Sequence, residues 1–221
     1  AGAVLVRRIS AGRGIYSTRS GEQVDVIGTA VVVGYGSIGR VNAKNAKSLG
    51  WNVVTIDSDP KAEANLIKIE HAAGIEATHA VIATPVDTHI DVLCKTIQAM
   101  PSIQTVLVEK PLFRPMNLLD TETGISLACG SLERIFVGFS WRWNPVIRFI
   151  KQEIDDCRFG EIQYASLTAR ERVPKIAANA WIESGSHILD TARFLFAGQT
   201  EYKIFYWIDS PIITHLNDDV S

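Results

Sequence analysis

The 221-residue sequence has little of what marks the specialised protein classes. It has three cysteines, Cys94, Cys129 and Cys157. They are odd in number, widely spaced and form no C-x-x-C pair, which excludes a disulfide framework and gives no zinc motif. A reducing compartment fits best, and no metal is expected. No stretch approaches the roughly 18 apolar residues needed to cross a bilayer, and AGAVLV ahead of Arg7 is too short for a secretory core. The sequence therefore reads as cytoplasmic, with no membrane partner. Charge of one sign is also lacking: 22 Lys plus Arg stand against 24 Asp plus Glu, a net charge of −2, so no nucleic-acid partner is indicated. The charge is uneven only at the start, where Arg7, Arg8, Arg13 and Arg19 occur with no acid before Glu22. Residues 1–23 read as a basic N-terminal tail, with the composition of a mitochondrial transit segment as the alternative. There is no repeat and no low-complexity run.

What is present is globular: 47% apolar and 21% charged residues. At about 150 residues per domain, the length amounts to one domain and a half. From about Val24 apolar β-branched runs alternate with helix-like stretches, the pattern of βαβ units in a parallel sheet covered on both faces. The fold class is α/β, a Rossmann-type doubly wound sheet. Strands are expected over 29–36, 51–57, 78–85, 105–111 and 134–141, and helices over 37–50, 87–100 and near 118–132. Past Trp141 the pattern changes to a helix over 145–157, an alternating strand over Glu161–Glu171, a helix over 180–197 and a strand over 201–209. The expected division is a nucleotide-binding domain over 24–141 and a partial α+β substrate domain over 142–221.

The strongest local signal is Gly34-Tyr35-Gly36-Ser37-Ile38-Gly39, a G-x-G-x-x-G between a strand and a helix. In this pattern the first glycine permits the tight turn, the second lets a pyrophosphate approach the backbone, and the third lets helix pack on strand. Asp57 closes the next strand, where a carboxylate can accept hydrogen bonds from the adenosine ribose hydroxyls. A 2′-phosphate would meet its charge, so NAD is favoured over NADP. S-adenosylmethionine-dependent methyltransferases share a glycine-rich turn and an acid after the second strand, so these residues alone leave both classes open.

Two later strand ends carry Thr84-Pro85 with His89 nearby, and Glu109-Lys110-Pro111. The carboxyl ends of parallel strands border the ligand crevice, which puts Thr84, Pro85, His89, Glu109 and Lys110 beside the nicotinamide half of a dinucleotide. With the glycine-rich turn, with GFSWRWNP at 138–145 and with Glu183-Ser184-Gly185-Ser186-His187-Ile188-Leu189-Asp190, the sequence resembles the Gfo/Idh/MocA family of oxidoreductases from about Val31 to Asp190. The resemblance implies an NAD(P)-dependent enzyme acting on CH–OH groups of a sugar, nucleotide-sugar or cyclitol. It implies that Lys110 contacts the substrate hydroxyl, that His187 is the acid/base partner and that Glu183 shares its helix face, with Arg142 and Asn144 as substrate contacts. Histidine titrates near neutral pH, and a lysine in a crevice can have its charge disfavoured, so both residue types suit proton transfer.

The sequence departs from the family pattern in several places. Glu183 stands where aspartate is usual, and the glycines a few residues earlier are replaced by Ala180, Trp181 and Ile182. Only Arg142 remains of two adjacent arginines, and Trp141 and Trp143 can stack on a sugar ring or pack in a core. Family members continue further, into an open sheet that also offers a face for a homo-oligomer. A shortened or fragmentary member is therefore expected, and a dinucleotide-binding regulator or truncated remnant without turnover is the competing class.

Overall fold

The computed structural model describes residues 14–17, 23–112, 134–168 and 185–197. The chain divides into two compact units, Ala1–Ser140 and Trp141–Ser221.

The first unit is built on a parallel five-stranded sheet. Its strands are β3 (Thr29–Val33), β4 (Asn52–Ile56), β5 (His79–Ile82), β6 (Thr105–Val108) and β7 (Ile135–Val137), in the order β4-β3-β5-β6-β7. A two-stranded antiparallel hairpin, β1 (Gly14–Ser17) with β2 (Gln23–Val26), precedes it in a stretch read from sequence mostly as a tail. The runs GIYS and QVDV contain β-branched and aromatic residues, which favour strand.

The central strand β3 is TAVVV, and its alternation is hidden because both faces are covered. Val31 and Val33 join Ile56, Ile82, Leu93, Ile97, Met100, Val106 and Val108 on one side of the sheet. Ala30 and Val32 join Ala43, Trp51 and Val53 on the other. Helix α1 (Ser37–Ser48) supplies Ala43 to the second cluster, and α2 (His89–Ala99) supplies Leu93 and Ile97 to the first. Because β3 pairs with β4 on one side and β5 on the other, the strand order reverses at β3, and in open parallel sheets ligands bind outside the carboxyl ends of the strands at such a point. The last expected strand of this unit is shorter than its sequence suggests. It ends at Val137, and Ser140–Trp143 forms a 3₁₀ turn.

In the second unit, α3 (Pro145–Asp155) starts with proline at its first position, and Asn144 caps it by accepting from the Val146 N–H at 2.9 Å. Helix α4 (Ser186–Phe196) packs against α3, with Ile154 and Leu195 buried. Within the expected strand Glu161–Glu171, residues 161–168 are not strand, and Tyr164 is 85% exposed. Alternation alone does not make a strand: a ladder needs a partner, and none is paired with this segment among the described residues. The expected helix near 118–132, the strand 201–209 and residues 180–184 lie outside the described residues. No described helix is long and apolar enough to cross a membrane.

Candidate functional site

The carboxyl edge of the sheet is set by the main chain. The ladder runs one residue past the strands: Gly34 N donates to Ile56 O at 2.8 Å, Ala83 N to Val33 O at 2.7 Å, Glu109 N to Ile82 O at 2.9 Å and Gly138 N to Val108 O at 2.7 Å. This places the glycine-rich turn, Thr84-Pro85 and Glu109-Lys110 on one rim.

The three glycines differ in what surrounds them. Gly34 has φ +90°, and a Cβ there would lie 2.6 Å from the Ala83 carbonyl, so the turn tolerates no side chain. A Cβ on Gly39 would lie 1.8 Å from the Gly34 carbonyl oxygen, so glycine is what lets α1 close onto the turn. Gly36 has nothing within 4 Å of where a Cβ would be. Its emptiness is no packing requirement. It leaves an open cradle at the start of α1, whose first N–H groups receive no side-chain cap. Exposed Ser37 and Ile38 complete the turn. The residues present fit a dinucleotide pyrophosphate.

Asp57 lies at the end of β4, with its carboxylate facing the same turn. It accepts from Tyr35 N at 2.6 Å through one oxygen and from Asp59 N at 2.9 Å through the other. A carboxylate has about four lone-pair positions, so two remain for ribose hydroxyls. Arg40 stacks over Tyr35, 4.5 Å from the ring centroid, and donates to Ala62 O at 2.5 Å.

His89 sits inside the rim. Its ring is 2% exposed, with Nδ1 2.9 Å from Pro111 O and Nε2 2.8 Å from Thr84 O. Both ring nitrogens face backbone carbonyls of two strand-end turns, so His89 bridges the turns by packing and donates an N–H to at least one of them. Thr84 is half-buried with its hydroxyl accepting from Thr88 at 2.9 Å, Pro85 is exposed, and Lys110 is half-buried. Glu109 accepts from Asn42 of α1 at 3.1 Å. Sequence reasoning missed Asn42, a polar residue only 6% exposed on the inward face of α1.

In the second unit, the 3₁₀ turn places two successive side chains on α4. The Trp141 ring stacks on His187, with centroids 5.0 Å apart and planes 9° apart. Arg142 grips Asp190 with two nitrogens, Nε at 2.7 Å and Nη2 in a salt bridge. Asp190 and His187 are both buried. The Asp190 hydrogen bond raises the Arg142 pKa above its ordinary value, despite the opposing effect of partial burial. In the structure Arg142 anchors the turn to α4, and Asn144 caps α3. Glu183 lies outside the described residues. Among the described residues no group of three His, Cys, Asp or Glu side chains could hold a metal.

No family model matches the chain. Likeness to solved structures gives the fold: the first unit is of the Rossmann type found in the dehydrogenases on which the chain superposes. It is 28% identical over 183 residues to an inositol 2-dehydrogenase of Rhizobium meliloti (strain 1021), an alignment covering 74% of this chain and 53% of that relative. The chain spans about half the length of the curated relative it matches. A probable dehydrogenase from Thermotoga maritima superposes with TM-score 0.64 at 19% identity, over 76% of this chain and 55% of its own. The scyllo-inositol dehydrogenase of Lactobacillus casei, solved with NAD(H) and scyllo-inositol, superposes with TM-score 0.59 at 15% identity, over 76% of this chain and 56% of its own.

Proposed function

We propose that the chain is an NAD-dependent oxidoreductase that acts on a CH–OH group of a cyclitol or sugar, nucleotide-sugars included. The observation that carries the reading is the contrast among the glycines: Gly34 and Gly39 are demanded by neighbouring backbone, whereas Gly36 is empty on the side where a pyrophosphate would approach. The relatives support the substrate class: one is an inositol 2-dehydrogenase, and another holds NAD(H) and scyllo-inositol. Gly34 to Gly39 bind the pyrophosphate, and Asp57 takes the ribose hydroxyls and disfavours a 2′-phosphate, so NAD is preferred to NADP. The nicotinamide, when bound, supplies the carbon that exchanges hydride. Lys110, on the rim between Glu109 and Pro111, contacts the substrate hydroxyl and takes part in moving its proton. Thr84 and Pro85 border the nicotinamide. His187 is the acid/base histidine of its helix, held in orientation by the Trp141 ring. Glu183 is assigned beside it by sequence spacing. The protein is placed in the cytoplasm, and its second unit is assigned substrate binding and self-association.

Calorimetric titration of NADH, NADPH and S-adenosylmethionine, followed by an absorbance screen of cyclitols and sugars with NAD, tests the reading. Saturable NADH binding with turnover of at least one polyol is expected, and Lys110→Ala abolishes turnover while leaving NADH affinity within about three-fold. Binding of S-adenosylmethionine alone would overturn the class. NADH binding without turnover on a broad panel would favour a dinucleotide-binding regulator.

A further inference from the structure

Lysine has a long flexible side chain, and holding its amine at one place depends on how firmly its own backbone is held. Lys110 has a fixed neighbour on each side. Its C-terminal neighbour Pro111 offers its carbonyl to His89 Nδ1 at 2.9 Å, while His89 Nε2 meets Thr84 O at 2.8 Å. Either neutral tautomer makes one N–H···O=C bond, and the imidazolium makes both. The N-terminal neighbour Glu109 accepts from Asn42 Nδ2 at 3.1 Å. Its other oxygen lies against Gly138, where a Cβ would stand only 3.2 Å away. Both His89 and Asn42 are more than nine-tenths buried, on different helices. Asn42 lies three residues past Gly39, so the helix that presents its N-terminus to the pyrophosphate also reaches the turn that carries Lys110.

We infer that His89 and Asn42 are positioning residues for the Lys110 amine, one holding the turn through Pro111 and the other through Glu109. The inference rests on Lys110 being a site residue next to the cofactor. It makes the Lys110 turn a clamped segment, in which the cofactor helix and α2 together fix where the amine points. Neither His89 nor Asn42 touches a ligand in this role. Their effect falls on reactivity of the amine and on the turnover number, with little effect on nucleotide affinity.

Reductive methylation of Lys110 in the full chain, followed by mass spectrometry with and without saturating NADH, reads the amine's placement without relying on turnover. NADH slows methylation of the unaltered chain at least about five-fold, and His89→Phe and Asn42→Ala each cut that protection below about two-fold. Calorimetric NADH affinity stays within about three-fold in both variants. His89→Gln keeps an N–H for one carbonyl and restores at least about half of the protection, which a loss of packing alone would not predict. If His89→Phe does not fold, Asn42→Ala and His89→Gln still decide the matter. Full protection in these variants overturns the inference while leaving Lys110 as a site residue. No protection in the unaltered chain removes Lys110 from the site, and the inference with it.

Discussion

The two units hold their candidate site residues by different means. Up to Ser140 the rim is built by main-chain hydrogen bonds that extend the sheet ladder past the strand ends, and side chains are carried along with it. From Trp141 onward the described site residues are placed by their side chains: an indole on an imidazole, a guanidinium on a carboxylate, an amide oxygen capping a helix N–H. A site set by backbone is sensitive to added atoms. One set by side chains is sensitive to removed ones. The first kind leaves a spacing in the sequence, and the second leaves only residue types.

This contrast is sharpest in the glycine-rich turn. Gly39→Ala drives a Cβ into the Gly34 carbonyl and is expected to cost at least about 3 kcal/mol of stability and to abolish NADH binding. Thermal denaturation and calorimetry of the same sample check both, and a variant with unchanged melting temperature would break the backbone half of the comparison. The side-chain half is tested by Arg142→Met. It leaves the Asp190 side chain, 7% exposed, without its ion-pair partner, and is expected to cost about 2 kcal/mol, less than a fully buried pair because Arg142 is itself 43% exposed. Denaturant unfolding measures the loss, and adding Asp190→Leu to the variant should recover part of it.

Gly36→Ala separates ligand from fold. Its Cβ enters open space, so stability should change by less than about 1 kcal/mol, while NADH affinity falls at least about ten-fold. The smallest effect is on pH dependence. His79 lies against Trp51, with ring centroids 4.4 Å apart, and burial lowers its pKa below the ordinary 6.5. The unfolded chain therefore takes up the proton first as pH falls. Stability from this residue is complete above pH 6.5 and declines below it, by at most about 1.4 kcal/mol per pH unit until the folded value is passed. Urea titrations between pH 7 and 5 should show a shallower decline for His79→Gln than for the unaltered chain.

The difference between the units also explains what could be read in advance. G-x-G-x-x-G, Asp57 and the two strand-end motifs state their positions by spacing, because each follows a buried β-branched run that ends at the rim. The task of His89 could not be read, because its partners are carbonyls of Thr84 and Pro111, and every residue has a carbonyl. Asn42 gives a faint signal, a polar residue where the inward face of α1 needs an apolar one. Arg142 and Asn144 resemble ligand contacts in sequence, since a charged group and an amide suit a sugar as well as they suit Asp190 and a helix N-terminus. Over the described residues 161–168 the alternation failed as a strand signal because it describes which face would be wet, and says nothing of whether a neighbour exists to pair with.

The empty space beside Gly36 also bears on how such a chain would change with time. Substitution at 34 or 39 is opposed by the fold itself, whatever the protein binds. If the chain binds the proposed nucleotide, only that ligand would oppose substitution at 36, so a lineage that stopped using it would keep the outer two glycines and let the middle one drift. A side chain at position 36 in a descendant would record the loss of the ligand while the fold remained intact.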